Sequence, residues 1–387
     1  IFIAHPPVLT ERMEAVRTSA LARADSADGA IRSALKGMSE GASHSPMSVA
    51  VGAAAAVAVG GLLFGAYRKA RAQGRRVLTI SVPATTANLG CGFDAFGAAL
   101  DMYMTLRAEV AANQSATSFT YEGEGANEVA LDESNMIWKS AIACQTMWAP
   151  GRRMPKLAVH VRNSVPFGRG LGSSATAIIA GVMLANEFLD LSLTKDQLLD
   201  AALEIESHPD NLSAALYGGA TCSLVSESGK SMVRAYPISR AIRAIVVVPD
   251  FQLATSKARE VLPKEYSLAD VVFNVQRAAL LPMALSEAPI NHSFIRECMK
   301  DRIHQNQRAP LVPGLEECLW LPSTLGNPKL LAMALSGAGP TIIGLCTGDY
   351  NAIGNKMIDT LRVAGVQSKS YVMNFTRTGA TATWSLF

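Results

Sequence analysis

Residues 166–176 read Pro-Phe-Gly-Arg-Gly-Leu-Gly-Ser-Ser-Ala-Thr, three glycines at alternate positions followed by two hydroxyls. Glycine enters left-handed backbone conformations without a steric penalty, so such a run can turn successive N–H groups towards one ligand. An unbroken apolar pattern over residues 175–189 follows, which makes the loop the entrance to a helix. A helix start adds unpaired amides and the positive end of a dipole. Together these features predict a cradle for nucleotide phosphates. The alternative is a Gly-rich helix entrance that binds nothing.

Two familiar phosphate loops are excluded. A Walker A loop needs G-x-x-x-x-G-K-[ST], and no lysine stands at the required place after Gly168. A dinucleotide fingerprint needs an acidic residue closing the next strand, and none follows at that distance.

The elements that must position this loop begin near residue 77. Short strands are predicted over 77–82, ending at Pro83, and over 100–110, 156–163, 220–225, 244–248, 342–346 and 367–374. Helices are predicted over 135–148, 175–189, from a Thr194 cap to about 207, and over 212–217, 268–285, 291–306 and 349–364. Residues 85–97 read as a Gly-punctuated loop, and His208-Pro209-Asp210-Asn211 as a helix break. Strands alternating with helices, without a long parallel run, imply α+β packing in two lobes, with a cleft between them as the default ligand site.

Composition bounds the rest. A chain of 387 residues, 49% hydrophobic and 17% charged, has room for two domains and an extension. A net charge of +3 and the absence of an aromatic-studded basic stripe argue against a nucleic-acid partner. The six cysteines stand singly, without a C-x-x-C pair, and read as buried thiols of a reducing compartment.

Residues 1–76 differ in texture. The chain opens on Ile1, so its true start is expected upstream. An uncharged run at 48–67 precedes Arg68, Lys69, Arg71, Arg75 and Arg76 and is close to bilayer-spanning length. Its strongly apolar residues supply only about −3 kcal/mol of insertion energy, and Gly52, Gly60, Gly61 and Gly65 offset part of that. A cleavable organelle-targeting leader, a lasting membrane anchor and an Ala/Gly-rich tail all remain open. Glu11, Glu14, Asp25 and Asp28 count against a plain mitochondrial presequence.

Two further motifs stand in order with the glycine loop. They are Pro-Ala-Thr-Thr-Ala-Asn-Leu-Gly-Cys-Gly-Phe-Asp at 83–94 and Leu-Ser-Gly-Ala-Gly-Pro-Thr at 335–341. This trio resembles the GHMP kinase superfamily and, within it, the homoserine kinases. The narrower likeness rests on 83–94, on Glu206-Ser207-His208-Pro209-Asp210-Asn211, on Thr255-Ser256-Lys257-Ala258-Arg259 with Leu262-Pro263, and on residues 301–308 with Pro313-Gly314. It covers roughly residues 77–374.

The resemblance implies an α+β GHMP kinase fold after a non-globular N-terminal extension. Residues 77–236 would form a ribosomal-protein-S5-like, ATP-binding lobe and residues 237–387 a ferredoxin-like lobe, with 1–76 as the leader. It implies ATP and Mg²⁺ as cofactors and L-homoserine as acceptor. Asn135, Pro166, Gly168, Arg169, Gly170, Leu171, Gly172, Ser173, Ser174 and Ala175 would surround the nucleotide. Ser174 and Glu206 would hold the metal and are the catalytic pair, with Glu204 as the fallback carboxylate. Asn88, Asp94, His208, Asp210, Asn211, Thr255, Arg259, Arg308 and Gly337 would surround the substrate.

The residue types suit these roles. Arginine forks match a carboxylate, and a hydroxyl with one carboxylate suits a Mg²⁺ that keeps waters and phosphate oxygens. No residue presents itself as a general base. Rival readings are a mevalonate-like kinase and a non-catalytic, ligand-binding member. A homodimer and membrane contact through 48–67 stay open. The leader and an amino-acid pathway point to a plastid, with a mitochondrion or membrane anchoring as alternatives.

Overall fold

The computed structural model describes residues 76–111 and 114–386. The expected leader, apart from Arg76, and its apolar run at 48–67 lie outside the described residues. Strand β1 (Arg76–Ala87) alternates Leu78, Ile80, Val82 and Ala84 into the core, as a pleated strand must. It continues past Pro83, where the sequence reading ended it. The register against β2 (Phe96–Val110) shifts between Pro83 and Ala84, so the missing proline N–H falls at a bulge.

Strand β4 (Leu157–Asn163) extends β2 antiparallel, and β3 (Ser118–Gly123) lies parallel to β4 at the edge. The hairpin β5 (Ala220–Val225) and β6 (Ser231–Tyr236) joins the start of β2. Helix α1 (Met136–Trp148) packs against α2 (Ser173–Phe188), whose buried residues lie on nearly every side. Helix α3 (Lys195–Leu203) opens with the predicted Thr194 cap, here a full capping box with Gln197, but ends earlier than the sequence suggested. Helix α4 (Pro209–Tyr217) starts at Pro209, not at Leu212, because proline suits a first helical position. The expected break at 208–211 is therefore the first turn of α4.

A second, antiparallel sheet has the order β10–β7–β9–β8, formed by β7 (Arg243–Pro249), β8 (Leu330–Leu335), β9 (Ile342–Cys346) and β10 (Ser368–Met373). Its two faces serve two cores. Ala244, Val246 and Ile343 join the core of the larger sheet. Ile245, Val247 and Ile342 face the other way, towards α9 (Leu315–Thr324) and α10 (Tyr350–Val363). The chain then crosses back: β11 (Thr381–Leu386) pairs antiparallel with β1.

Between β7 and β8 in the chain lie α5 (Thr255–Glu260), α6 (Leu268–Ser286), α7 (His292–Cys298) and α8 (Gln305–Arg308). The single helix expected over 291–306 is thus two. Asp301 separates them, because its carboxylate accepts the N–H groups of Ile303, His304 and Gln305 at 2.8–3.0 Å. A side chain that caps three amides starts a new helix. Mixed α+β architecture is what the sequence implied.

Candidate active site

The glycine loop has the backbone its composition demanded. Gly168, Gly170 and Gly172 take φ of 65°, 81° and 71°. The loop carbonyls are turned into the protein. Leu253 N–H donates to Gly168 O at 3.1 Å, Thr341 N–H to Arg169 O at 3.2 Å, and Thr85 N–H to Leu171 O at 3.1 Å. The Ser336 hydroxyl donates to Gly170 O at 2.6 Å. The first bond of α2 runs from Thr176 N–H to Gly172 O, and no side chain caps the helix. The amides of Ser173, Ser174 and Ala175 are therefore left at the cleft, at the positive end of the α2 dipole.

The other two motifs are clamped onto this loop. Asn88 Nδ2 donates to Gly337 O at 2.8 Å, and Gly337 N–H returns a bond to Ala87 O at 3.0 Å. Asn88 and Asp94 take left-handed φ of 71° and 57°, which Asn and Asp bear at low cost. The Asn88 side chain accepts from Asp94 N–H at 3.0 Å and fixes that turn. Segments some 80 and 250 residues apart in sequence thus share one wall.

The cleft is lined by Asn88, Asp94, Gly168, Gly170, Gly172, Ser173, Ser174, Ala175, Glu206, His208, Asp210, Asn211, Thr255, Arg259, Arg308 and Gly337, and also by Leu253, Ala338 and Gly339. Four expected residues stand back from it. Pro166 and Leu171 are buried in the wall behind the loop. Arg169 is turned towards the Asp250 carbonyl and Glu124, 3.4 and 3.7 Å away. Asn135 caps α1 by accepting from Ile137 N–H at 2.9 Å, and its Nδ2 donates to Ala130 O, so its polar atoms are used locally. Glu204 closes α3 and does not line the cleft, whereas Glu206 does. A second, more open hollow on the outer face of the large sheet, lined by Arg107, Thr120 and His160, holds none of the three motifs.

The charged side chains of the cleft interlock. Arg259 Nη2 donates to Asp94 Oδ1 at 2.7 Å. Arg308 is only 1% exposed; its Nε donates to Ala258 O at 2.9 Å and its Nη1 to Gly337 O at 3.2 Å. Burial, with Arg259 beside it, lowers the Arg308 guanidinium to about 10, so it stays a cation at neutral pH. Both guanidinium groups lie over the Phe93 ring, 5.4 and 5.2 Å from its centroid.

Burial, with the nearby Asp94 and Glu206 carboxylates, pushes Asp210 up to about 6. His208 Nδ1 lies 2.6 Å from Glu206 Oε1, and that hydrogen bond raises its pKa above the ordinary histidine value.

Beneath Arg308 lies a buried chain that the sequence reading did not assign. His304 Nε2 donates to Gly90 O at 2.8 Å, which leaves Nδ1 to accept from Arg308 Nη1 at 3.3 Å. Phe93 stacks on the same imidazole with centroids 5.1 Å apart. Asn274 Nδ2 donates to Asp301 Oδ1 at 2.7 Å. The four-residue spacing of His304 and Arg308 is a helical signal that marks them as neighbours; nothing in the sequence marks Asn274.

A three-glycine phosphate loop at a helix start, walled by two further glycine turns beside paired arginines, defines a small-molecule phosphotransferase of the GHMP type. The pattern of the GHMP kinases N terminal domain matches residues 135–219. The homoserine kinase of Schizosaccharomyces pombe is 40% identical over 329 residues, 78% of this chain and 97% of the relative. That of Desulfitobacterium hafniense is 38% identical over 305 residues, 79% of this chain and 99% of the relative. The crystal structure of homoserine kinase from Cytophaga hutchinsonii superposes with a TM-score of 0.67 at 25% identity, covering 79% of this chain and 97% of the other. The chain belongs to the homoserine kinase family.

Proposed function

We propose that this chain transfers the terminal phosphoryl group of ATP to the side-chain hydroxyl of L-homoserine. The observation that carries the acceptor is the Arg259–Asp94 ion pair beside Arg308 and Asp210. A zwitterion can exchange with that pair partner by partner, its carboxylate meeting the two arginines and its ammonium meeting Asp94 and Asp210. A hydroxy acid without an amine, such as mevalonate, would leave both carboxylates facing each other. Asn88, Asn211, His208 and Thr255 would orient the acceptor hydroxyl and backbone groups from the same wall.

On the donor side, the left-handed glycines and the free amides of α2 would hold the phosphates. The donor set at the loop fits Mg²⁺. Among the described residues there is no group of three or more His, Cys, Asp or Glu able to hold a metal by itself. Ser174, whose hydroxyl makes no hydrogen bond among the described residues, and Glu206 line the same cleft. Two protein oxygens suffice for an ion that takes its other ligands from water and phosphate. Such an ion would offset the charge that develops on the transferred group. Transfer needs little covalent help, and no side chain is assigned as base; positioning by the arginines and loop amides carries the reaction.

The test is ATP consumption by the full chain with homoserine, mevalonate or shikimate as acceptor. Turnover with homoserine alone supports the reading, and turnover with mevalonate alone replaces it. Residues 1–76 support import into a plastid, with mitochondrial import and membrane anchoring through 48–67 as the competing fates. A fluorescent fusion to that segment separates the three.

A further inference from the structure

An arginine side chain carries five N–H groups, and in Arg308 the protein fixes three of them. Nε donates to Ala258 O at 2.9 Å, and Nη1 donates to Gly337 O at 3.2 Å and to His304 Nδ1 at 3.3 Å. Nη2 has no acceptor among the described residues, which leaves its two N–H groups for a ligand in the cleft that Arg308 lines. Two of the three fixing acceptors are backbone carbonyls. The third is an imidazole, which accepts there in one tautomer and one protonation state only.

We propose, on the homoserine reading above, that His304 is a positioning residue that aims Arg308 Nη2 at the acceptor carboxylate. A histidine that merely filled the core would need only a donor and an acceptor somewhere in the scaffold. Here its two nitrogens tie together two walls of the cleft. Nε2 donates to the carbonyl of Gly90, inside the 83–94 motif, while Nδ1 serves the arginine. Phe93 of the same motif stacks on the imidazole, 23° from parallel, and also lies under the Arg308 and Arg259 guanidinium groups. The imidazole thus sets where Arg308 sits relative to Asn88 and Asp94, which line the cleft from that motif.

The surroundings hold the ring in the required state. The charged groups that act on it are Asp301, Arg308 and Asp94. His304 is fully buried, and burial keeps its pKa below the ordinary value although Asp301 Oδ2 lies 3.8 Å from Nε2. The neutral ring is the one with a bare Nδ1; a proton there would face a guanidinium. The backbone is held as well. Asp301 accepts the His304 N–H at 2.9 Å, and Asn274, on the covered side of α6, donates to Asp301 Oδ1 at 2.7 Å. Arg308 N–H in turn donates to His304 O at 3.1 Å, one helical turn away.

Three substitutions separate the two nitrogens. An asparagine amide oxygen can stand where Nδ1 stood, a glutamine amide nitrogen can stand where Nε2 stood, and leucine supplies neither. His304→Gln and His304→Leu should raise homoserine KM about tenfold, the worth of one hydrogen bond to a charged group, while ATP KM moves less than about threefold. His304→Asn should recover most of that loss, although it gives up the bond to Gly90 O. In an Arg308→Lys background, His304→Gln should raise homoserine KM less than about twofold further, because the two residues act as a unit.

Wild-type homoserine KM in His304→Gln, beside lost affinity in His304→Asn, would assign His304 to the Gly90 turn alone and overturns the proposal. Equal rises in both KM values overturn it too. If none of the variants folds, NMR of the ¹⁵N-histidine-labelled wild type decides: the His304 Nδ1 signal should shift on adding homoserine and hold still on adding ATP alone. A signal that ignores homoserine overturns the proposal. A wild-type chain without homoserine turnover removes the functional reading and the positioning role together, whereas each outcome above leaves that reading standing.

Discussion

A Cβ on Gly172 would stand 1.9 Å from Thr85 Oγ1, the hydroxyl that donates to Asn211 Oδ1 at 2.7 Å. The glycine loop and the first motif therefore touch backbone to side chain, with no room for a methyl group. Gly172 also holds φ of 71°, which alanine adopts only with strain. Gly172→Ala should cost about 2–4 kcal/mol, from overpacking plus backbone strain. It should also raise KM for ATP. Thermal melts and steady-state kinetics check this, and a variant unchanged in both would show that the close approach is dispensable.

On the proposed reading, Ser174 and Glu206, which both line the cleft, would supply the protein oxygens to a cation. Ser174→Ala and Glu206→Gln should each lower kcat by at least about 100-fold at fixed Mg²⁺, since a bound ion supplies several kcal/mol to a phosphoryl transition state. Ser174→Ala should recover in part as Mg²⁺ is raised. Full turnover in both variants would remove the metal assignment.

Asp210 is buried at the first turn of α4, and its carboxyl titrates at about 6 rather than 3.8. The folded state therefore binds the extra proton between those values, so this group's contribution to stability falls as pH rises from about 4 to about 6. Above that range the ionised carboxylate costs on the order of 3 kcal/mol. Asp210→Asn should raise the melting temperature at pH 8 far more than at pH 4. In kinetics the same variant should raise KM for the amino acid at least about tenfold, the worth of one charged hydrogen bond, with kcat almost unchanged. A loss mainly in kcat would make Asp210 a base instead. His304, whose burial lowers its pKa from 6.5, acts in the opposite sense, with stability lost as pH falls below that value. The comparison is therefore between variant and wild type at each pH.

On the proposed reading, Arg308 would meet the acceptor carboxylate; it is also the donor to Gly337 O and Ala258 O. Arg308→Lys keeps the charge but loses the fork. Homoserine KM should rise about 10- to 100-fold, the worth of one or two charge-assisted bonds, while ATP KM moves by less than a factor of about 3. Arg308→Ala should in addition destabilise the protein by about 3 kcal/mol, because buried acceptors lose their partners. Equal effects on both substrates would place the arginine in the scaffold alone.

Much of this site was legible in the chain itself, because its decisive features are local. Alternate glycines at 168, 170 and 172 predict left-handed backbone and open amides wherever they occur, and all three adopt it. The Thr194 cap, the strands 220–225 and 342–346 and the helix after Asn135 are local in the same way. Short strands such as β3, β6 and β11 carry too little pattern of their own and form because a partner strand supplies the other half of each ladder. Strand β8, by contrast, is an unbroken apolar run whose buried-strand signal the sequence reading missed.

The residues that sequence alone could not orient are those whose direction depends on a neighbour. Glu204 and Glu206 differ by half a helical turn, and only the end of α3 leaves Glu206 at the cleft. Asn135 and Arg169 sit where the motifs put them, yet Ala130 and Ile137 use the polar atoms of Asn135, and Arg169 is turned to the Asp250 carbonyl and Glu124. The bond from Asn274 to the Cys91 carbonyl joins residues 183 positions apart, and no periodicity encodes such a contact. The sequence by itself determined the phosphate loop, its helix and the order of the three motifs, because backbone freedom and unpaired amides follow from residue type. Tertiary structure alone decided which carboxylates face the cleft, what lies under Arg308 and which side of α6 stays bare, because burial is set by what packs against a side chain.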